Sequence, residues 1–318
     1  MRAALVREIG QPPQTGEVEE PPASDDREPL QVLAAGLNPI DIAVSAGRYF
    51  GGHPELPYVP GAEGVARLPD GRLGYLHGDG LGTVRNGTFA ERVLFDSAQA
   101  FAVPEGLAPE LAGSIGAAGL AGFVPLTSLA PVETDDVVLV LGATGTAGIV
   151  AVQTARLLGA ARIVAAGRDE PALERARARG ADEVVRLGEG VDLAAALRDA
   201  CGGEGPTLVF DPLWGEPARA AVEAAAPRAR IVNLGQSAGP EATLRSGAVR
   251  GKALRILGYQ NFGVPRDELA KQYFRLGEHV ARGDIVVDVE TVPLAEVADA
   301  WRRQAASPHV KLVIRPDA

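Results

Sequence analysis

The residues best suited to chemistry lie in a glycine-rich segment near the middle of the chain. Gly142, Gly145 and Gly148 stand three residues apart, directly after the apolar run Val137 to Leu141. Glycines at this spacing let the backbone turn tightly and approach a pyrophosphate, whose charge the first amides of a following helix can meet. The segment predicted to contact such a ligand is Gly142, Ala143, Thr144, Gly145, Thr146, Ala147 and Gly148. A tight strand-to-helix turn without a ligand is the alternative interpretation.

The end of the next predicted strand indicates which dinucleotide would bind. Arg168 follows Gly167 there, and an arginine at this place accommodates the 2′-phosphate of NADP, whereas an acid would bind the ribose hydroxyls of NAD. These two residues therefore favour NADPH as the cofactor. Asp169 leaves NAD open, because a shift of one residue in register would put an acid at the discriminating position. A solvated arginine at the strand end is the other alternative. Asn233 and Gly235, after a later strand, complete the predicted cofactor-binding set.

These loops need a parallel sheet to position them. Strand-like and helix-like segments alternate between residues 137 and 234, which is typical of a doubly wound α/β domain of the Rossmann type. Before residue 118, short β-like runs rich in Pro and Gly predict a β-rich domain. We therefore expect residues 1–118 and 260–318 to form a β-rich catalytic domain, and residues 119–259 to form the nucleotide domain.

Composition narrows the function classes. The chain is 46% hydrophobic and 23% charged, the balance of a globular protein, and no apolar run approaches the roughly 20 residues of a membrane-spanning helix. The formal net charge of −10 argues against nucleic acid as a partner, because phosphate binding needs a basic surface. Met1 to Val6 resembles a strand rather than a signal peptide, so we expect a cytoplasmic protein. Cys201 is the only cysteine, which excludes an intrachain disulfide.

Residues 34–41, 45–49 and 56–64 resemble the N-terminal signature of quinone oxidoreductases, zinc-free members of the medium-chain dehydrogenase/reductase superfamily. The glycine loop, Gly180-Ala181-Asp182 and Lys311-Leu312-Val313 continue the resemblance over nearly the whole chain. The resemblance implies a GroES-like catalytic domain formed from both ends of the sequence, with the Rossmann nucleotide domain inserted between them.

The resemblance also bears on metal binding. Zinc-dependent alcohol dehydrogenases of this superfamily carry a cysteine about where Asn38 stands and a histidine where this chain has Ala62. A third cysteine expected near residues 116–118 is missing, as is the four-cysteine structural lobe. Without thiolate or imidazole ligands such a site does not hold the tetrahedral zinc that polarises an alcohol, so we expect no metal. The histidines follow no ligand spacing; they are His53, His77, His279 and His309.

Hydride transfer without a metal restricts the substrate to a small molecule that delocalises the charge itself, such as a quinone or an enone or alkenal. The resemblance gives Asn38, Asp41 and Tyr49 as catalytic residues, with Asn38 or Tyr49 donating to the acceptor oxygen. A turn at Asn38 and a helix cap at Asp41 are the alternatives. The expected substrate-pocket residues are Tyr58, Tyr259, Asn261 and Phe262. An enoyl-thioester reductase and a non-catalytic NADPH-binding redox sensor stay open as other functions.

The run Arg255 to Tyr259 is predicted as the last strand of the nucleotide sheet. The outer edge of such a strand carries unpaired backbone groups, which invite pairing with another chain. Quinone oxidoreductases are commonly dimers joined through that strand, so the resemblance implies a homodimer with a two-fold axis. A proline at Leu257 is expected to remove an edge donor and to weaken the dimer.

Overall fold

The computed structural model describes residues 1–49, 51–188, 190 and 192–316. Its strands are β1 (Arg2–Leu5), β2 (Gln14–Glu17), β3 (Glu28–Gly36), β4 (Glu63–Arg67), β5 (Leu73–His77), β6 (Arg92–Phe95), β7 (Phe101–Ala102), β8 (Val137–Leu141), β9 (Arg162–Gly167), β10 (Glu183–Arg186), β11 (Leu208–Asp211), β12 (Arg230–Asn233), β13 (Arg255–Gly258), β14 (Val289–Pro293) and β15 (Lys311–Arg315). Its helices are α1 (Pro39–Ser45), α2 (Pro109–Ser114), α3 (Ala117–Val124), α4 (Thr146–Leu157), α5 (Glu170–Ala178), α6 (Leu193–Ala200), α7 (Gly215–Ala224), α8 (Ser246–Gly251), α9 (Arg266–Arg282) and α10 (Val297–Ala305).

The chain divides into two compact units. The β-rich unit comprises Met1–Gly119, Pro265–Gly283 and Val287–Ala318, and the parallel-sheet unit comprises Leu120–Val264 and Asp284–Val286. The predicted segments 1–118, 119–259 and 260–318 differ from these units chiefly at the third segment. The chain leaves the parallel-sheet unit at Pro265 rather than at residue 260, and it returns briefly at Asp284–Val286.

The parallel-sheet unit holds six strands in the order β10-β9-β8-β11-β12-β13, and every neighbouring pair is parallel. The chain starts at β8, proceeds to β9 and β10, then returns past β8 to β11, β12 and β13. This confirms the predicted doubly wound sheet. Strand order therefore reverses between β8 and β11, the place where open α/β sheets form a ligand crevice outside the carboxyl ends of their strands.

Apolar sequence explains the strands of this sheet. Four of the five residues in β8, Val-Val-Leu-Val-Leu, are buried, as expected for a strand with helices on both faces. One apolar cluster includes Val138, Ile163 and Phe210, and a second includes Leu139 and Ile231. Alternate residues of one strand thus supply the two layers.

The β-rich unit contains a seven-stranded sheet with the path β14-β15-β3-β4-β5-β7, and β6 pairs with β3. Strand β15, from the end of the chain, pairs antiparallel with β3, from its beginning. The core beside this sheet includes Phe89 packed edge-on against Trp301, with ring centroids 6.3 Å apart. This pairing brings Lys311, the first residue of β15, to the end of β3.

Two further findings concern the sequence-based expectations. Among the helices that the structure describes, none has both the length and the apolar character required to cross a membrane.

Cys201 is a buried free thiol at the end of α6, and burial raises its pKa to about 12. A thiol with so high a pKa is a poor nucleophile, so Cys201 acts as a small core residue.

Candidate functional site

Each glycine of the glycine loop has a different structural reason. Gly142 has φ +61°, so the turn requires glycine at this position. A Cβ on Gly148 would collide with the Gly142 carbonyl oxygen, so the packing of the helix start requires glycine there as well. Gly145 is exposed with φ −88°, and the nearest atom to a Cβ there would be Gly142 O at 3.7 Å. The fold therefore does not need glycine at position 145. A glycine there instead leaves the backbone open to a ligand, as a pyrophosphate site requires.

The start of α4 supplies hydrogen-bond donors at the same place. Gly145 is the N-cap and has no side chain to cap the helix. Within the described ranges, the N–H groups of Thr146, Ala147 and Gly148 have no acceptor. The unpaired donors and the positive end of the helix dipole together form a site for an anion. Ala143 has another task, because its N–H donates to Ala166 O at 3.0 Å and ties the loop to β9.

The tip of β9 resolves the register that the sequence left open. The Asp169 carboxylate caps α5 by accepting from the Ala172 N–H at 2.8 Å. Arg168 is exposed, and its guanidinium has no partner in the part of the chain that the structure describes. Thr144 from the glycine loop lies so close that a Cβ on Gly167 would meet Thr144 Cγ2 at 2.7 Å. Asp169 therefore caps α5, and Arg168 is the charged side chain that is available to a ligand beside the glycine loop.

A loop that sequence reasoning missed borders the glycine loop on its other side. It joins β11 to α7 and comprises Pro212, Leu213 and Trp214. A Cβ on Gly142 would meet Pro212 Cγ at 3.0 Å and Leu213 Cδ2 at 3.2 Å. The signal in the sequence was an Asp-Pro pair and a glycine directly after a buried strand, a turn signature at a carboxyl end.

Asp211 fixes the shape of this loop. Its buried carboxylate accepts from the N–H groups of Leu213 and Trp214, both at 2.9 Å, and burial raises its pKa. Trp214 has φ 54° and ψ −155°, a combination that costs a residue other than glycine roughly 1–3 kcal/mol. The carboxylate thus holds the loop in a strained conformation.

Asn233 and Gly235, predicted to bind the cofactor, belong to the same network. Asn233 Nδ2 donates to Gly235 O at 2.8 Å and to Asp211 O at 3.2 Å. A Cβ on Gly235 would meet Pro212 O at 2.5 Å. Both residues therefore join the ends of β11 and β12 and hold the backbone of the loops that follow these strands.

Of the predicted substrate-pocket residues, three lie just after β13. The half-buried Tyr259 hydroxyl donates to Asn261 Oδ1 at 2.8 Å, and burial raises the pKa of Tyr259. The ring of Phe262 is 47% exposed. The structure therefore brings Tyr259 and Asn261 into direct contact and leaves Phe262 at the surface.

The β-rich unit contains a buried charged cluster around Glu63. Glu63 Oε1 accepts from Asn38 Nδ2 at 2.6 Å and from Lys311 Nζ at 3.3 Å. Oε2 accepts from the Tyr75 hydroxyl at 2.6 Å and from the Ala117 N–H at 2.5 Å. Glu63 and Lys311 have side chains 0% and 2% exposed. A buried ion pair of this kind is stable only when its remaining groups are hydrogen-bonded, as they are here.

Asn38 is saturated by this cluster. Its Nδ2 donates to Gly36 O at 2.9 Å as well as to Glu63, and its Oδ1 accepts from Lys311 Nζ at 2.6 Å. An amide has two N–H donors, so none is left for a substrate oxygen. The expected donor role of Asn38 would therefore require breaking a buried bond, and the geometry instead makes Asn38 a link between Lys311 and Glu63.

Asp41 has the geometry of a helix cap. It occupies the third position of α1; its Oδ2 accepts from the Asn38 N–H at 2.8 Å and its Oδ1 from the Ala62 N–H at 2.9 Å. Burial raises the pKa of Asp41 to about 7, while the two backbone hydrogen bonds oppose that rise. Asp41 is therefore the N3 residue of a capping box whose N-cap is Asn38, so the contacts give it a structural role at the helix start, although not the N-cap position itself.

Tyr58 is the least satisfied polar group near α1. It is 1% exposed, and its hydroxyl has no hydrogen-bond partner among the described residues. Tyr49, predicted as catalytic, packs with Tyr58 against Val6 and Val44. Burial and the charge of Asp41 raise the pKa of Tyr58, so the hydroxyl keeps its proton. Leaving a buried hydroxyl unpaired costs about 1–3 kcal/mol, which makes this group a candidate donor to a ligand.

Comparison with known proteins shows what the chain is similar to. Residues 147–276 match the family model described as "Zinc-binding dehydrogenase". The quinone oxidoreductase of Salmonella typhimurium is 26% identical over 90% of this chain and 89% of its own length. The solved quinone oxidoreductase of Thermus thermophilus, studied also as its complex with NADPH, is 27% identical with a TM-score of 0.82, covering 99% of this chain and 100% of that one. These matches support the medium-chain dehydrogenase/reductase superfamily as the group of proteins that the chain is similar to. This confirms the predicted resemblance to its quinone oxidoreductases.

Another relative of the chain is much longer. A phenolphthiocerol/phthiocerol polyketide synthase of Mycobacterium tuberculosis is 28% identical over 336 residues. The match covers 98% of this chain and 15% of that protein. The chain therefore spans only a small part of the length of this relative.

The donor atoms at the expected metal position do not fit zinc. Asn38 and Ala62 offer an amide and a methyl group where zinc-dependent members of the superfamily offer a thiolate and an imidazole. The Lys311 ammonium already lies between Asn38 Oδ1 and Glu63 Oε1, so a cation there would meet a positive charge. Among the described residues, no group of three or more His, Cys, Asp or Glu side chains is arranged to hold a metal ion.

Two buried groups in this unit should give opposite dependences of stability on pH. Asp41 has a pKa of about 7 when folded against 3.8 ordinarily, so its contribution is complete below pH 3.8 and is lost as pH rises through 7. His77, stacked on Tyr75, has a pKa lowered by burial from 6.5 to about 4, so its contribution is complete above pH 6.5 and is lost as pH falls through 4. Glu63 acts on both groups, Lys311 on Asp41 and Arg266 on His77.

Replacing either residue should leave only the other residue's effect on how the free energy of unfolding changes with pH. Between pH 4 and 6.5, the free energy of unfolding of Asp41→Asn should rise more steeply with pH than that of the wild type. Between pH 4 and 7, the free energy of unfolding of His77→Phe should fall with pH relative to that of the wild type. Each difference should be roughly 3 kcal/mol. Denaturant unfolding followed at several pH values measures both. Profiles parallel to that of the wild type would show that neither group titrates in this range.

Proposed function

We propose that the chain is an NADPH-dependent oxidoreductase that reduces a quinone or an activated alkene, such as an enone or alkenal, without a metal. The observation that carries the proposal is the pair of neighbouring sites in the parallel-sheet unit. The open backbone at Gly145 and the donors of α4 suit a pyrophosphate, and Arg168 supplies a positive charge for a 2′-phosphate while Asp169 is used as a cap.

The reaction balances with a proton from water. Bound NADPH would supply a hydride and leave as NADP⁺, and the hydride with one proton would convert the acceptor to a hydroquinone or a saturated carbonyl compound. The protein binds the dinucleotide through the loop residues and Arg168. Within the β-rich unit, Tyr58, whose buried hydroxyl is protonated and unpaired among the described residues, is the group that would donate a hydrogen bond to a ligand oxygen.

The charged cluster has a supporting role in this proposal. Because Lys311 neutralises Glu63 and orients Asn38, it holds α1, which carries Asp41 and packs beside Tyr58, in one position. We therefore assign Asn38 and Asp41 to positioning and Tyr58, with Tyr49 packed beside it, to the acceptor site.

A second candidate is reduction of an enoyl thioester. The match of 98% of this chain to part of a polyketide synthase favours it. An enoyl thioester is also an activated alkene, since its carbonyl delocalises the charge that the hydride brings. The same nucleotide site and the same donor would therefore serve either substrate class.

Oxidation of NADPH by the purified protein tests the function. We expect turnover with at least one member of a panel of quinones, alkenals and enoyl thioesters, unchanged by a chelator, and no stoichiometric zinc by elemental analysis. The substrate class that reacts distinguishes the two candidates. Tight NADPH binding without any turnover would instead favour a redox sensor, and activity lost to a chelator and restored by Zn²⁺ would contradict metal-free chemistry.

Nucleotide preference depends on Arg168. Arg168→Ala should weaken NADPH binding by about 1.5–3 kcal/mol, the scale of a charge-assisted hydrogen bond, and should leave NADH binding almost unchanged. Arg175→Ala is a matched control, because Arg175 is also an exposed arginine of this unit, on α5. Calorimetric titration with both nucleotides measures the effect. Equal losses for NADPH and NADH would show that Arg168 does not bind the phosphate.

We also propose that the protein is a homodimer joined through β13. This strand is the last in the parallel sheet, three of its four residues are exposed, and no described strand pairs with its outer edge. An unpaired edge of this kind is satisfied when a two-fold axis brings a second copy of the same strand beside it.

The backbone donors of the edge are not those predicted from sequence. Arg255 N donates to Ala229 O at 3.0 Å and Tyr259 N to Asn233 O at 2.9 Å. Because alternate residues of a strand face the same neighbour, Leu257 N also faces β12. A proline at Leu257 would therefore break the sheet inside the protomer. The outward donors belong to Ile256 and Gly258.

The corrected variant for the dimer is Ile256→Pro. It removes an outward N–H without removing a bond to β12, so it should weaken dimerisation while the protomer stays folded. Ile256→Val retains the N–H and serves as the control. Light scattering over a range of micromolar concentrations measures the mass. A monomer mass for the wild type would contradict the dimer, and an unaltered dimer for Ile256→Pro would contradict the interface.

A further inference from the structure

We propose that Trp214 binds the nicotinamide half of the dinucleotide and that the strained loop after β11 exists to present it. This inference rests on the proposed function, because it takes NADPH as the ligand. It extends that function to a residue that the sequence did not single out.

The backbone of Trp214 is held in a conformation suited to glycine. Its φ is 54° and its ψ −155°, and Gly215 after it also has a positive φ of 60°. Hydrogen bonds impose the conformation: Asp211 Oδ1 accepts from the Trp214 N–H at 2.9 Å, and Ala238 N–H donates to Leu213 O at 2.8 Å. A glycine at position 214 would satisfy the same bonds without strain. The reason for tryptophan must therefore lie in its side chain.

The fold makes little use of that side chain. The indole of Trp214 is half-buried and belongs to neither of the apolar clusters beside the parallel sheet. Within the residues described, it makes no hydrogen bond or ring contact. The other tryptophan, Trp301, is 4% exposed and packs edge-on against Phe89 in a core. A large aromatic ring kept under strain and outside the core indicates a ligand.

The position of the loop selects the part of the ligand. Gly145 and α4 mark the pyrophosphate site at the end of β8, and Arg168 at the end of β9 marks the side of the adenosine 2′-phosphate. A dinucleotide binds across the point where strand order reverses. Its other half therefore extends from β8 towards β11, the strand that Trp214 follows. An indole in this place can stack on a flat heteroaromatic ring.

Three substitutions separate the ring from the backbone strain. Trp214→Phe keeps an aromatic ring, Trp214→Ala keeps the strain and removes the ring, and Trp214→Gly removes both. Each variant is titrated calorimetrically with NADPH and with 2′,5′-ADP, which carries only the adenosine half of the ligand. Thermal unfolding without ligand is measured in parallel.

We expect Trp214→Ala and Trp214→Gly to bind NADPH about tenfold more weakly, which corresponds to about 1.4 kcal/mol, and to bind 2′,5′-ADP as the wild type does. Trp214→Phe should stay within about threefold of the wild type for NADPH. Trp214→Gly should unfold at a higher temperature than Trp214→Ala, because glycine adopts the positive φ without strain.

The outcomes distinguish this inference from the function on which it rests. A wild type that does not bind NADPH would overturn both. A wild type that binds NADPH, with all three variants binding equally well, would overturn the role of Trp214 alone. Equal losses for NADPH and 2′,5′-ADP would show a general collapse of the site and would also overturn it. A midpoint for Trp214→Gly below that of Trp214→Ala would overturn the claim of strain.

Discussion

The burial of one ion pair constrains most of the β-rich unit. Glu63 and Lys311 are almost fully buried, and losing one partner of such a pair costs about 3–5 kcal/mol. The remaining oxygens and protons of both groups must therefore find partners inside the protein. These partners are the amide of Asn38, the hydroxyl of Tyr75 and backbone groups at Leu37 and Ala117. The pair thus fixes the start of α1, the end of β3, the start of α3 and the last strand of the chain.

A different constraint organises the parallel-sheet unit, namely the reversal of strand order between β8 and β11. Among the described residues, the loops after β8, β9 and β11 carry groups that have no partner in the fold: the first backbone donors of α4, the guanidinium of Arg168 and the indole of Trp214. Among the described residues of the β-rich unit, the buried polar groups near α1 are hydrogen-bonded, except the hydroxyl of Tyr58. The unused groups of each unit, rather than the saturated ones, are those available for a ligand.

Local sequence was sufficient for the parallel-sheet unit and insufficient for much of the other. The apolar run of β8, the glycines after it and Arg168 beyond β9 are neighbours in sequence, so their spacing predicts both the strands and the phosphate site. Asn38, by contrast, owes its role to Lys311, 273 residues away. Its neighbours indicated a substrate donor or a turn, and only the pairing of β15 with β3 shows that its donors are used. Strand β5 likewise depends on pairing with β4 and β7, which are distant from it or follow it in sequence, rather than on propensity alone.

The cost of each unusual feature indicates where function should be sought. Burying the ion pair of Glu63 and Lys311 costs desolvation free energy. The hydrogen bonds that the pair makes offset this cost and stabilise the cluster, so a structural role alone accounts for it. The strained backbone of Trp214 and the unpaired hydroxyl of Tyr58 bring no such return within the described chain. Evolution tolerates features that lower stability chiefly where they serve binding or chemistry. A free-energy cost without a structural benefit is therefore a better guide to the site than charge or burial alone, and it directs attention from Asn38 and Asp41 to Tyr58 and Trp214.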